Sequence, residues 1–149
     1  MGEPSYNLPK EVLEHISNKV KNTKMGYTES IGFLKLRELI SFHYKTQYKL
    51  PLPASNIAIT AGASASILLV LMTLFNEGDH VAIALPGYPC YRNIIKALSL
   101  KSYIIKTKLK DNFQLNPNDV ANMPGYVKGI IVESPANPTG VVINNDNLH

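Results

Sequence analysis

The order of apolar runs along this 149-residue chain is the feature that most limits its fold. Short runs without polar alternation predict buried strands at 56–60, 81–85, 102–107 and 127–132, and helical patterns lie between them. Strands of this kind form parallel sheets that helices cover on both faces. The sequence therefore predicts an α/β fold with the order β-α-β-α-β-(α)-β.

Two amphipathic helices are predicted before the first of these strands. Pro9 suits the first position of a helix, and apolar residues recur at helical spacing as far as Val20. A second apolar face runs from Phe33 to Tyr44, and Pro51 marks the turn or loop that ends this helix. Both helices belong to the part of the chain that precedes the predicted sheet.

Composition and charge exclude several classes of protein. The hydrophobic fraction of 45% excludes a disordered chain, and the single cysteine, Cys90, excludes a disulfide scaffold and a zinc finger. The net charge of +4 comes from scattered lysines, which does not indicate nucleic-acid binding. No signal peptide is visible, and the apolar run 67–75 is shorter than the roughly 20 residues that cross a bilayer. We expect a soluble, cytoplasmic protein with no metal, nucleic-acid or membrane partner.

Chemistry is expected after the strands, because ligands of parallel α/β sheets bind beyond the carboxyl ends of the strands. After the first predicted strand, Gly62, Ala63 and Ser64 begin an apolar helix. Unpaired backbone N–H groups and the helix dipole make such a start a binding site for an anion. A plain helix cap, with glycine for close packing, explains the same residues and is the simpler interpretation of this motif taken alone.

The next loop holds an aromatic side chain between two prolines. Tyr88 lies between Pro86 and Pro89, where a rigid loop suits stacking on a planar ring, and packing on a neighbouring helix is an equal alternative. Cys90 is interpreted as a small buried hydrophobic residue, because no histidine lies near it in sequence.

The last predicted strand is followed by Glu-Ser-Pro-Ala-Asn-Pro-Thr-Gly at 133–140. The Pro-x-Asn-Pro string within it is more constrained than an ordinary turn, and Pro138 is a candidate for a cis peptide bond. The side-chain amide of Asn137 can donate a hydrogen bond to a phenolate oxygen.

Taken together, the motifs of this chain resemble those of a known enzyme family in the same order. They are Gly2-Glu3-Pro4, Tyr27-x4-Gly32 with Leu36-Arg37-Glu38, Thr60-x-Gly62-Ala63-Ser64, Pro86-Gly87-Tyr88-x-x-Tyr91 and Ser134-Pro-Ala-Asn-Pro-Thr-Gly140. The chain is similar to the N-terminal part of a class I/II, fold-type I, pyridoxal-phosphate (PLP) aminotransferase. The expected fold is an incomplete three-layer parallel-sheet large domain, preceded by a short segment of the small domain.

The resemblance implies roles for the residues of the three loops. Gly62, Ala63 and Ser64 correspond to part of the cup that holds the PLP phosphate. Tyr88 corresponds to the aromatic residue that stacks on the pyridine ring, and Asn137 to the residue that hydrogen-bonds the 3-hydroxyl oxygen of the ring.

The resemblance also implies partners and a domain division. Tyr27 corresponds to a tyrosine that reaches the phosphate of a neighbouring subunit, which predicts a homodimer, and Gly2 to a glycine beside the substrate carboxylate. Residues 1–24 are expected on the small-domain side, and residues 25–149 are expected to form the N-terminal half of the PLP-binding large domain. The substrates would be an amino acid and a 2-oxo acid.

The catalytic machinery of the family is expected outside this chain. The lysine that holds PLP as a Schiff base, the aspartate at the pyridine nitrogen and the arginine that binds the substrate carboxylate all follow the Asn-Pro-Thr-Gly motif in the family. None of the 13 lysines here matches that lysine. We expect the chain to be truncated or one part of a split enzyme, inactive alone and completed by a C-terminal half.

Three functions remain open from the sequence. The first is an aminotransferase of amino acid metabolism, and the second is a PLP-dependent lyase or synthase of the same fold. The third is a non-catalytic remnant. A nucleotide-binding Rossmann module is less well supported, because its glycine motif is missing.

Overall fold

The structure, a computed structural model, describes residues 5–24 and 26–145. The chain divides into two compact units, Met1–Ile59 and Thr60–His149. Each unit has its own helices, and the strands of the described residues all belong to the second unit.

The first unit contains the two helices that the sequence predicted. Helix α1 spans Lys10–Asn22 and follows Pro9, and helix α2 spans Leu34–Tyr48. Lys49 ends α2 in the left-handed conformation, and its backbone N–H donates to the carbonyl of Tyr44.

A buried arginine joins the chain segments that precede and follow α2. The Arg37 side chain lies on α2 and is 6% exposed. Its Nε donates to the carbonyl of Gly32 over 3.0 Å, and its Nη1 donates to the carbonyl of Ala54 over 3.1 Å. These two bonds join the segments before and after α2, so the guanidinium is occupied by the protein's own backbone.

The predicted strand at 56–60 is wrong. A single turn of 3₁₀ helix occupies Ala54–Asn56, and the residues after it are extended but pair with no strand among the described residues. Ile59 donates one backbone hydrogen bond to Ile31, over 3.0 Å. An apolar run is a strand only where a neighbour supplies a ladder of such bonds, and one bond does not make a ladder.

The second unit alternates helices and strands as expected. Its elements are α3 (Ala63–Leu74), β1 (His80–Leu85), α4 (Pro89–Ala97), β2 (Lys101–Lys106), α5 (Pro117–Ala121) and β3 (Val127–Ile131). These bounds confirm the predicted order from the apolar helix onward. Proline begins both α4 and α5, where a missing N–H group costs nothing.

The sheet is parallel and has the order β2-β1-β3. Along β1, Ala82 lies opposite Tyr103 of β2 and Ile130 of β3. The chain leaves β1 toward one side through α4, and then crosses back to the other side through α5. Strand β1 is therefore the place where the direction of winding reverses, and its carboxyl end opens into a crevice beside that of β3.

Both faces of the sheet are buried, which confirms a layered α/β fold. Val81 and Ile83 pack with Leu71 of α3 and Ile95 of α4 on one face. On the opposite face, Ala82 and Ile105 pack with Leu115, and Met123 covers them. Alternate residues of β1 thus point into two separate apolar clusters, which explains why the strand sequence carries no polar alternation.

One close approach inside this core gives a test of the packing. A methyl group added at Gly129 of β3 would lie 2.6 Å from the ring of Phe75, whereas one added at Gly125 meets nothing within 4 Å. We expect Gly129→Ala to lower the free energy of unfolding by about 1–3 kcal/mol, because the ring must shift within a packed core. Gly125→Ala should change it by no more than about 0.5 kcal/mol. Urea unfolding measures both, and equal values for the two variants would contradict this packing.

Candidate functional site

The three loops singled out in the sequence lie at the carboxyl edge of the sheet of the second unit. The loop 86–88 follows β1, the segment 132–140 follows β3, and α3 begins just after Thr60. Because β1 is the strand at which the winding reverses, loops that diverge from β1 and β3 leave an open space between them.

The start of α3 is shaped to expose its backbone N–H groups. Gly62 has a φ of +85°, a conformation that L-residues rarely adopt, and it is the residue that precedes the helix. The hydroxyl of Thr60 lies 2.6 Å from that of Ser66 and also donates to the carbonyl of Gly62 over 3.0 Å, which fixes the turn. Gly62 has no side chain that could cap the helix, so the first N–H groups of α3 are left for another acceptor.

Tyr88 is the residue that precedes α4, and its ring meets that of Tyr91 edge to face. The two ring centroids lie 5.5 Å apart and the ring planes meet at 82°. Tyr88 remains 36% exposed, so one part of its surface is open to the space. Its neighbour Cys90 is half-buried and donates from Sγ to the hydroxyl of Ser64 over 3.4 Å.

The loop after β3 is closed by its own hydrogen bonds. Ala136 donates to the carbonyl of Val141 over 2.9 Å, and Gly140 donates to the carbonyl of Ala136 over 2.7 Å. The peptide bonds before Pro86, Pro135 and Pro138 are cis. The loop so formed presents Asn137, whose side chain is exposed.

These residues line one cavity of about 420 Å³, a size within the range of small-molecule sites. The lining residues are Ala61, Gly62, Ala63, Ser64, Ile67, Tyr88, Tyr91, Glu133 and Asn137. The structure thus brings together five of the residues that the sequence singled out, namely Gly62, Ala63, Ser64, Tyr88 and Asn137. The start of α3 supplies hydrogen-bond donors to the cavity, Tyr88 supplies an aromatic surface, and Asn137 supplies a side-chain amide.

The two other predicted site residues are Gly2 and Tyr27. Gly2 lies outside the described residues. Tyr27 belongs to the first unit, and its side chain is fully exposed.

Sequence reasoning gave no site role to Tyr91 and Glu133, two polar residues that also line the cavity. The Tyr91 hydroxyl donates to Oε1 of Glu133 over 2.8 Å. A charged residue directly after an apolar strand, at the carboxyl edge of a parallel sheet, is the signal that identifies Glu133. Cys90 was expected to be buried but is half-buried and bonded to Ser64.

A metal site and a membrane-spanning helix are two other features that the described residues could form. No group of three or more His, Cys, Asp or Glu side chains that could hold a metal ion occurs within 5–24 and 26–145. In the same ranges, no helix has the length and the apolar character that crossing a membrane requires.

Comparison with known proteins gives the family. The sequence profile of "Aminotransferase class I and II" matches residues 1–149. This chain belongs to that family. Among its relatives, the valine–pyruvate aminotransferase of Mycobacterium tuberculosis is 35% identical over 147 residues, which are 99% of this chain and 38% of the relative. The (5-formylfuran-3-yl)methyl phosphate transaminase of Methanocaldococcus jannaschii is 37% identical over 146 residues, which are 98% of this chain and 38% of the relative.

Solved structures agree with the fold. The crystal structure of an aminotransferase from Mycobacterium tuberculosis superposes with a TM-score of 0.94 at 34% identity, covering 99% of this chain and 38% of that structure. This chain thus spans about 38% of the length of the relatives that it matches. Both the α/β fold and the correspondence to part of a class I/II aminotransferase are confirmed.

The Tyr91–Glu133 pair gives a prediction about pH. Burial, and then the hydrogen bond to Glu133, raise the pKa of Tyr91 from 10.0 to about 12. A raised pKa means that the bond contributes its full stability below pH 10 and loses that contribution as the pH rises toward 12. Tyr91→Phe should remove one tyrosine that is still un-ionised at about pH 11, as measured by tyrosinate absorbance.

The same variant should affect stability in a way that depends on pH. The difference in unfolding free energy between the wild-type protein and Tyr91→Phe should be constant below about pH 10 and shrink above it. Tyr126→Phe is the matched control, because the Tyr126 side chain is 55% exposed and does not line the cavity. A late-ionising tyrosine that persists in Tyr91→Phe would show that the assignment is wrong.

Proposed function

We propose that the protein is a PLP-dependent aminotransferase, which moves an amino group between an amino acid and a 2-oxo acid. The observation that carries the proposal is the single cavity lined by the start of α3, by Tyr88 and by Asn137. This chain would supply the noncovalent seat of the cofactor. The domain division proposed with it assigns 1–24 to the small domain and 25–149 to the large domain.

The donors of the cavity suit the chemical parts of PLP. The uncapped N–H groups of α3 and the hydroxyl of Ser64 suit a phosphate, since the positive end of a helix dipole favours an anion. Gly62 keeps a side chain away from that place, and a methyl group added there would point into open space. These features fit a phosphate group that approaches the backbone closely.

Tyr88 and Asn137 suit the ring of the same cofactor. Tyr88 presents an aromatic surface at the cavity, on which a pyridine ring can stack. Asn137 supplies an amide N–H group that can donate to an oxygen on the ring. A bound PLP would act as the electron sink that assists removal of a proton from the amino acid. Tyr88 and Asn137 would hold and orient the ring of the bound cofactor.

Covalent attachment of the cofactor would fall to a lysine outside this chain. None of the residues that line the cavity is a lysine. We propose that the attachment comes from the remainder of the family's fold, on the same polypeptide or on a partner. A homodimer is part of the proposal too, and the fully exposed side chain of Tyr27 is available to a second subunit.

The choice of substrate does not follow from this segment. Two relatives that match it at 35% and 37% identity are named for different substrates, a valine–pyruvate pair and a furan phosphate. The matched residues therefore accompany more than one substrate class. We propose amino acid and 2-oxo acid substrates without naming a pair.

Binding of pyridoxine 5′-phosphate tests the cofactor seat. This molecule carries the ring, the 3-hydroxyl group and the phosphate of PLP but lacks the aldehyde, so it cannot react with the 13 lysines of the chain. We expect saturable binding in calorimetry. Asn137→Ala should weaken it about tenfold to a hundredfold through the lost charge-assisted hydrogen bond, and Tyr88→Ala about tenfold through lost stacking.

Matched variants make this test specific. Asn93→Ala changes an exposed asparagine on α4, and Tyr126→Ala changes an exposed tyrosine outside the cavity. Both should bind like the wild-type protein. No saturable binding, or equal weakening by the control variants, would refute the proposed seat.

The reaction type has its own measurement. An aminotransferase should form a new amino acid only when a 2-oxo acid acceptor is supplied. Release of ammonia without any acceptor would favour a lyase of the same fold instead. Binding of pyridoxine 5′-phosphate without turnover, in the complete native assembly, would favour the non-catalytic remnant.

A further inference from the structure

The hydrogen bond between Tyr91 and Glu133 joins two of the loops that line the cavity. The two residues are 42 positions apart in sequence, and the 2.8 Å bond links the first turn of α4 to the loop after β3. Both side chains are half-buried and both line the cavity. Neither has a part in the cofactor seat described above.

Tyr91 contacts the residue that would stack on the cofactor ring. Its ring meets the ring of Tyr88 edge to face, at 5.5 Å and 82°. The side chain of Tyr88 makes no cap hydrogen bond to α4, and it is 36% exposed. The tilt of the Tyr88 ring therefore depends on the neighbouring ring of Tyr91.

Tyr91 packs against the apolar cluster that contains Leu71 and Ile95, but open space also borders it. A second, smaller cavity of about 30 Å³ lies against Tyr91 and Glu133, with Phe113 and Leu115 among its other lining residues. A space of that size holds about one water molecule. Since Tyr91 lines open volume in both cavities, its hydroxyl bond to Glu133 is the directional contact that fixes the ring.

The hydroxyl of Tyr91 can donate at neutral pH. Its pKa is raised to about 12 by burial and by the bond to Glu133, so the hydroxyl keeps its proton there.

We propose that Glu133 is a positioning residue for the cofactor ring: it holds Tyr91, and Tyr91 holds the ring of Tyr88 at the angle that stacking requires. This inference rests on the proposed function. Glu133 touches no reacting atom in it and acts only through the two tyrosines.

Single variants give the first part of the test, with pyridoxine 5′-phosphate as the probe in the native protein. Glu133→Ala and Tyr91→Phe should each weaken binding about three- to tenfold. Either change removes the hydrogen bond that fixes the aromatic ring at position 91. Glu133→Gln keeps a carbonyl acceptor for the hydroxyl and should retain most of the wild-type affinity. The circular dichroism of the bound ligand should change in the two weakened variants, because that signal depends on the orientation of the ring.

Double variants that also carry Tyr88→Ala give the decisive part of the binding test. If Glu133 acts through Tyr88, then adding Glu133→Ala or Tyr91→Phe to Tyr88→Ala should cause no further loss of affinity. A merely structural role would weaken binding equally in both backgrounds, and that result would overturn the inference. Tyr91→Phe is nearly isosteric, so it carries the test even where Glu133→Ala does not fold.

Controls separate this inference from the proposed function. Glu77→Ala and Tyr126→Phe change exposed residues outside the cavity and should bind like the wild-type protein. Wild-type binding that Tyr88→Ala weakens and Glu133→Ala leaves unchanged would overturn the positioning role while leaving the cofactor seat intact. A wild-type protein without saturable binding would overturn both.

Discussion

Strand β1 has a parallel neighbour on each side and an apolar cluster on each face, and the rest of the second unit follows from that position. The consecutive residues Ala82 and Ile83 point to opposite faces of the sheet, and both are buried. This requires helices over one face and the segment around α5 over the other. The chain then has to leave β1 in one direction and return past it to reach β3. The crevice at the carboxyl edge results from this winding of the backbone and does not depend on which side chains line it.

The sequence predicted elements well where the signal is local and poorly where it is not. The runs that became β1, β2 and β3 look much like the run 56–60. Within the described structure, however, the bond from Ile59 to Ile31 is not continued into a ladder. Strand pairing depends on neighbours distant in sequence, which periodicity does not reveal. The Tyr91–Glu133 bond was missed for the same reason, whereas Tyr88 and Asn137 were found because proline-rich loops carry a local signature.

The cavity gathers groups with separate physical roles. Backbone N–H groups at the start of α3 carry partial positive charge, Tyr88 offers polarizable surface, and Asn137 offers a neutral donor. Glu133 is the one ionisable carboxylate among the lining residues, and one of its oxygens accepts from Tyr91. Such a set suits a flat molecule with an anionic tail. Such groups can hold and orient a molecule of that kind without a covalent bond.

The walls of this cavity come from segments that are distant in sequence, around 61–67, 88–91 and 133–137. An unfolded chain therefore has no equivalent of the site. Any small molecule that contacts all three segments binds the native state alone, and it shifts the folding equilibrium by mass action, by about 2.7 kcal/mol at a concentration of 100 times its dissociation constant. The melting temperature of this protein would therefore rise with the concentration of any molecule that fills the cavity.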